Sequence, residues 1–134
     1  MLTRSEQFVC SILGTTRSDI RPFSAALDVI LFLHFAQNIP RGDIKITKSV
    51  YPQIALLLNK SPSAVSRSVE RLANLCWETV KNQGRLSELV GRELHDIPAA
   101  SDILFYLAYL LHFGKPFFTV LDDLDCLNQR QSSV

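Results

Sequence analysis

Residues 57–72 read LLNKSPSAVSRSVERL, and the role of NKSP at 59–62 decides how the chain around it folds. The four residues are either a plain surface loop between two helices or the tight turn of a helix-turn-helix. That motif joins its helices at about a right angle through a turn of about three or four residues. It makes three local demands. The first helix needs a small residue where the second crosses it closely, and Ala55 stands there in YPQIALLLN. Four residues later the chain must turn sharply, often with positive φ, and Asn59 is the best non-glycine residue for that. The second helix must then bury an apolar residue, and Val65 lies six positions on. Ser61 and Pro62 mark its start, with a hydroxyl to cap free amides and then a proline where no amide donor is needed.

The second helix, expected from Pro62 to about Asn82, divides into two faces at about 100° per residue. Ser63, Ser66, Arg67, Glu70, Arg71 and Asn74 fall on one side, and Val65, Val69, Leu72 and Cys76 on the other. The polar side carries two guanidiniums among short side chains that would allow close approach to base edges, and arginine reads guanine O6 and N7 bidentately. Any surface helix has a polar face, so this pattern alone also describes an ordinary solvated helix. Trp77 stands off the apolar stripe and is expected to pack on a later helix.

Charge along the chain favours the DNA-reading alternative. The net charge of the 134 residues is only +1. Residues 41–92, however, hold nine Lys or Arg against four acids, a net of +5. Residues 93–134 hold two against six, a net of −4, and the first forty balance at three each. The middle of the chain is therefore the part suited to a polyanion.

The remaining pattern is helical. With 47% hydrophobic and 20% charged residues and five glycines, the composition is that of one ordinary globular domain with a sizeable core. Helices are expected over Ser5–Leu13, Pro22 to about Gln37, about Thr47 to Leu58, Pro62 to about Asn82, Leu86–Leu94, Ala99–Phe113 and Phe117 to about Leu127. Thr47 or Ser49 could cap the third, whose regular part should begin close to Val50 because Pro52 fits only a first turn. The fold class is thus an all-α bundle of about six to seven helices containing a helix-turn-helix at about 50–80. Residues 129–134 read as a frayed, disordered tail. FSAALDVILFLHFA and ILFYLAYLLHF fall short of the roughly 20 residues a membrane span requires and read as buried helices, so no membrane partner is expected. No signal peptide is apparent. Cys10, Cys76 and Cys126 suit reduced thiols, and the location expected is cytoplasmic.

The segment ITKSVYPQIALLLNKSPSAVSRSVERLANLCW at 46–77 resembles the DNA-binding effector domain of the stage zero sporulation protein A family of response regulators. The likeness rests on ITK and YP-x-IA at 46–55, on Asn59, Ser63, Val65, Arg67, an aliphatic residue at 69 and Trp77, and downstream on Lys115-Pro116. It implies an all-helical domain whose recognition helix enters the major groove of double-stranded DNA, commonly as paired molecules on tandem or dyad sites. Arg67 matches a base-reading arginine, and Arg71 stands where the family has a basic DNA-facing residue. Ala64, Ser66 and Glu70 replace two arginines and a glutamate of the family pattern, which implies a different target and weaker phosphate binding. The family's effector domains usually follow a phosphorylatable receiver, which this chain is expected to lack.

The DNA-binding set expected is therefore Arg67, Arg71, Ser63, Ser66, Glu70 and Asn74 on the recognition helix. Lys60 and Ser61 in the turn, Lys48 ahead of the supporting helix, and Lys115 would hold phosphates, which position without specifying sequence. The other reading is a protein-interaction module or adaptor that keeps the fold without DNA binding, favoured by Ala64, Glu70 and the acidic last third. His34, His95 and His112 lack zinc spacing, and Asp122, Asp123 and Asp125 lack a calcium loop's glycine and glutamate. No nucleophile context or phosphate-binding glycine motif occurs, so no enzyme, cofactor, metal or small-molecule ligand is expected.

Overall fold

The computed structural model describes residues 2–14 and 16–132, with side chains described as far as Leu127. Among the described residues the chain forms seven α-helices and no strand. They are α1 (Arg4–Leu13), α2 (Arg21–Ile30), α3 (Tyr51–Leu58), α4 (Pro62–Asn82), α5 (Leu86–Val90), α6 (Ala100–Phe113) and α7 (Phe117–Ser132). The all-α bundle with a helix-turn-helix in its middle is the architecture observed.

Helix α4 is the hub. Three serines and three valines give it a weak intrinsic helical preference, a few tenths of a kcal/mol per residue. Burial decides instead, at about 1.5–3 kcal/mol for each large apolar side chain. Val65, Val69, Leu72, Ala73, Cys76, Trp77 and Val80 are all buried, against α1, α2, α3 and α6. Trp77 is 1% exposed and lies 6.3 Å from the Tyr106 ring, so it packs on a later helix as expected. Helix α6 is a core helix, with every residue from Ile103 to Tyr109 buried. Arg4 Nη2 of α1 donates to the Leu111 carbonyl at 2.7 Å, placing a cation at the α6 C-terminus, where the helix dipole favours it.

Several boundaries differ from the sequence reading, each for a local reason. The α-helical part of α2 stops at Ile30, and Leu31–Ala36 continues it as a wide π turn. That turn carries His34, whose ring bridges the Ile39 carbonyl at 2.8 Å and the Tyr109 hydroxyl at 2.7 Å. Another π turn, Ile46–Val50, precedes α3, and neither Thr47 nor Ser49 caps it. Pro52 accounts for this: its ring would clash with the Lys48 carbonyl in a regular turn and it has no amide to donate. The Tyr51 amide accordingly reaches back to Ile46. Regular helix starts at Tyr51, beside the predicted Val50. Helix α5 ends at Val90, not Leu94, because Gly91 takes φ +92°. Helix α7 runs past Leu127 to Ser132, since nothing in NQRQS breaks a helix. The frayed tail expected at 129–134 bears on 133–134 and on side chains from 128 on, which lie outside the described residues.

No single helix among the described residues is long and apolar enough to cross a membrane. Helices α6 and α7 would suffice only as a pair, and they are bent by 67° to each other.

Candidate nucleic-acid interface

The turn is built by backbone geometry. Asn59 adopts φ 54° and ψ 51°, the left-handed region, directly after α3. The Lys60 amide then donates to the Ala55 carbonyl at 2.9 Å and the Asn59 amide to Leu56 at 3.4 Å. This is the paired closure that satisfies the orphan carbonyls of a helix end. Ser61 is extended, and its hydroxyl accepts from the Ala64 amide at 3.2 Å, capping α4. Ala55 and Val65 are buried where the two helices cross. All three demands read from NKSP are met in one turn.

Beyond the turn, the outer side of α4 is solvent-facing. Ser63, Arg67, Glu70, Arg71 and Asn74 are exposed in one stripe, and Ser66 is half-buried beside it with its hydroxyl 3.4 Å from Glu70 Oε1. Arg67 makes no ion pair or side-chain hydrogen bond among the described residues. It is therefore free to meet a ligand without breaking an internal contact. Arg71 Nη1 donates to Ser18 Oγ at 3.4 Å, a weak tether from an exposed side chain.

The flanking cations divide. Lys60 is half-buried and pairs with Asp19 at 3.2 Å, while Arg21 holds the same carboxylate at 2.8 Å. The hydrogen bond from the Arg21 side chain, reinforced by the Arg21 amide and by Lys60, keeps the Asp19 carboxyl well below the ordinary value of 3.8. A phosphate at Lys60 would have to compete with that carboxylate. Ser61 is already engaged as the helix cap. Lys48 is exposed on the π turn with no partner among the described residues, so it is the freest lysine of the set. Lys115 sits at the corner between α6 and α7, exposed and paired with Asp123 at 3.4 Å, a contact that does not tie it to the α4 stripe.

The loop before α2 contributes residues the sequence reading missed. Ser18 meets Arg71 and Asp19 meets Lys60, which brings the exposed Arg17 and Arg21 to the edge of the turn. Contacts spanning 53 and 41 residues leave no local sequence signal.

A patch of opposite character adjoins the turn. Leu56 and Leu57, on α3, are 86% and 74% exposed. Elsewhere, Cys10 is half-buried, Cys76 buried and Cys126 exposed, and all three are unpaired. Among the described residues no three His, Cys, Asp or Glu side chains converge as metal donors. No protein-family model, curated protein or solved structure matches the chain.

Proposed function

We propose that this chain is a sequence-reading DNA-binding module, a transcriptional regulator in which α4 lies in the major groove. The single observation that carries the reading is the outer stripe of α4, where an unpaired Arg67 stands among Ser63, Arg71 and Asn74 directly after a helix-turn-helix turn. Arg67 would read a base, with Arg71, Ser63 and Ser66 beside it. Lys48 and Arg17 would meet backbone phosphates and set the register without reading sequence, while Arg21, like Lys60, is engaged by Asp19. The resemblance of 46–77 to the sporulation regulator's effector domain supports the same assignment of α4. Glu70, within the stripe, works against phosphate contact and points to a cytosine amino group as its fitting base partner.

The test is fluorescence anisotropy with random-sequence duplexes and a site selected from a randomised pool, at two salt concentrations. Arg67→Ala should cost about 1–3 kcal/mol on the selected site and much less on random DNA. Charge reversal at Lys48 should flatten the dependence of affinity on salt. Absence of binding to any duplex by the folded wild type at low salt would overturn the reading.

The exposed Leu56–Leu57 pair favours a second reading, an adaptor that docks on a protein through α3. Nucleic acid co-purifying with the chain at low salt separates the two, since only the DNA reader should carry it.

A further inference from the structure

Below the reading helix lies a cleft of about 640 Å³, bounded by the Arg41–Lys48 segment, Tyr51, Glu70 and the start of α6. Its size falls within the roughly 300–1,000 Å³ of small-molecule sites. Three features of its lining point to a ligand. The first is the N-terminus of α6, a fourteen-residue helix whose cap, Ala99, offers no side-chain hydrogen bond. The amides of Ala100, Ser101 and Asp102 are thus left to the cleft, at the end of a helix where the dipole favours an anion. The second is the cationic wall opposite, where Lys45 and Lys48 are exposed and line the same space. The third is Tyr51. It is 3% exposed and lines the cleft, yet its hydroxyl has no hydrogen-bond partner among the described residues. The ring is buried while the hydroxyl itself opens on the cleft, so a ligand there can hydrogen-bond to it without displacing a protein partner.

The lining also constrains the ligand. Glu70 and Asp102 face the cleft alongside Arg41, Lys45 and Lys48. Arg41 is held back with its guanidinium 5.2 Å from the Phe117 ring. A bare anion would use only the cationic side of the lining and leave the two carboxylates to water and, at Glu70, to the Ser66 hydroxyl. A phosphate ester carrying hydroxyl groups meets both demands, with its phosphoryl oxygens on the α6 amides and the two lysines and its hydroxyls donating to Glu70 and accepting from Tyr51. Phe105 supplies an apolar surface for the carbon skeleton. We infer that this cleft, between the π turn that leads into α3 and the N-terminus of α6, binds a small hydroxylated phosphate ester of the sugar-phosphate class. The site does not depend on whether α4 reads DNA.

Phosphoryl oxygens could also come from a DNA backbone, so the experiment carries both sources. Amide NMR of the full chain is followed during titration with glucose 6-phosphate, glucose, inorganic phosphate and a short random duplex. Glucose 6-phosphate should give saturable shifts centred on Ala100–Asp102, Lys48 and Tyr51, inorganic phosphate a weaker response at the same amides, and glucose none. Tyr51→Phe should weaken glucose 6-phosphate and leave inorganic phosphate unchanged. The Lys45→Ala, Lys48→Ala double variant should weaken both by more than about tenfold, since each of the two lost charge-assisted hydrogen bonds is worth about that factor. Lys81→Ala, an exposed lysine at the far end of α4, should change neither. Shifts that fail to saturate, or that spread over all the surface lysines, overturn the inference. So does a response of the Ala100–Asp102 amides to the duplex with none to glucose 6-phosphate.

Discussion

Asn59 is the residue on which the turn depends, and substituting it separates backbone conformation from side-chain contact. At φ 54° and ψ 51° a residue with a β-carbon is strained by about 1–2 kcal/mol, a cost that asparagine reduces through local polar contacts. Asn59→Ala restores that strain and should destabilise the fold by about 1 kcal/mol. Asn59→Gly removes the strain but frees the unfolded chain, an entropic cost of about 0.5–1 kcal/mol. The glycine variant should therefore lie close to wild type and above the alanine variant. Both variants keep the amides that donate to Leu56 and Ala55, so no hydrogen bond is lost. Urea unfolding can be followed by the fluorescence of Trp77, the single tryptophan, which is buried against Tyr106. With a slope of about 2 kcal/mol/M, the alanine midpoint should fall by about 0.5 M. Equal losses for alanine and glycine would refute a conformational origin and assign the effect to the asparagine side chain. An alanine variant as stable as wild type would refute the left-handed turn itself.

Other perturbations test the packing and charge around that turn. Gly91→Ala adds a Cβ at φ +92°, 3.1 Å from Thr119 Oγ1 and 3.2 Å from the Thr119 amide nitrogen. Since backbone cannot yield, thermal unfolding should show a loss above about 1 kcal/mol; a neutral result would mean that α5 and α7 are not in contact there. Asp19 has its folded pKa depressed, so its contribution is present above the ordinary value of 3.8 and is lost as pH falls below it toward the depressed value. Because the pairs are largely solvent-exposed, Asp19→Asn should cost less than about 1 kcal/mol at neutral pH, and the gap to wild type should close in acid. A gap that widens on acidification would contradict the assignment. Burial pushes the Cys76 thiol up to about 12, so a thiol reagent should modify the exposed Cys126 quickly and Cys76 only on unfolding. Rapid labelling of Cys76 in the native protein would show that the α4 core opens.

Legibility followed the range of the interaction. Asn59, Ser61 and Pro62 act on their own backbone within a few residues, so the turn and the start of α4 were readable from the order of residue types. The periodicity of Val65, Val69 and Leu72 likewise fixed which side of α4 is buried, and hence that Arg67 and Arg71 face outward. Pro52 places the start of regular helix close to Val50, but the pattern does not say that the residues before it form a π turn, because it shows that a proline must be accommodated and not how. The expected helix Leu86–Leu94 runs through Gly91, whose positive φ ends α5 at Val90 in the folded chain.

The order of residue types along the chain sets the elements and their faces, because helix formation, capping and amphipathic burial are local and repeat with a fixed period. Which charges remain free is settled by the packing of the helices. Lys60 and Lys48 are the same residue type in the same basic segment, yet Asp19, 41 residues away, takes the first and leaves the second open. The cleft arises in the same way, from the α6 N-terminus standing opposite Lys48 and Tyr51. Long-range charge pairing and the space between helices depend on how the helices pack, and no periodicity along the chain encodes that.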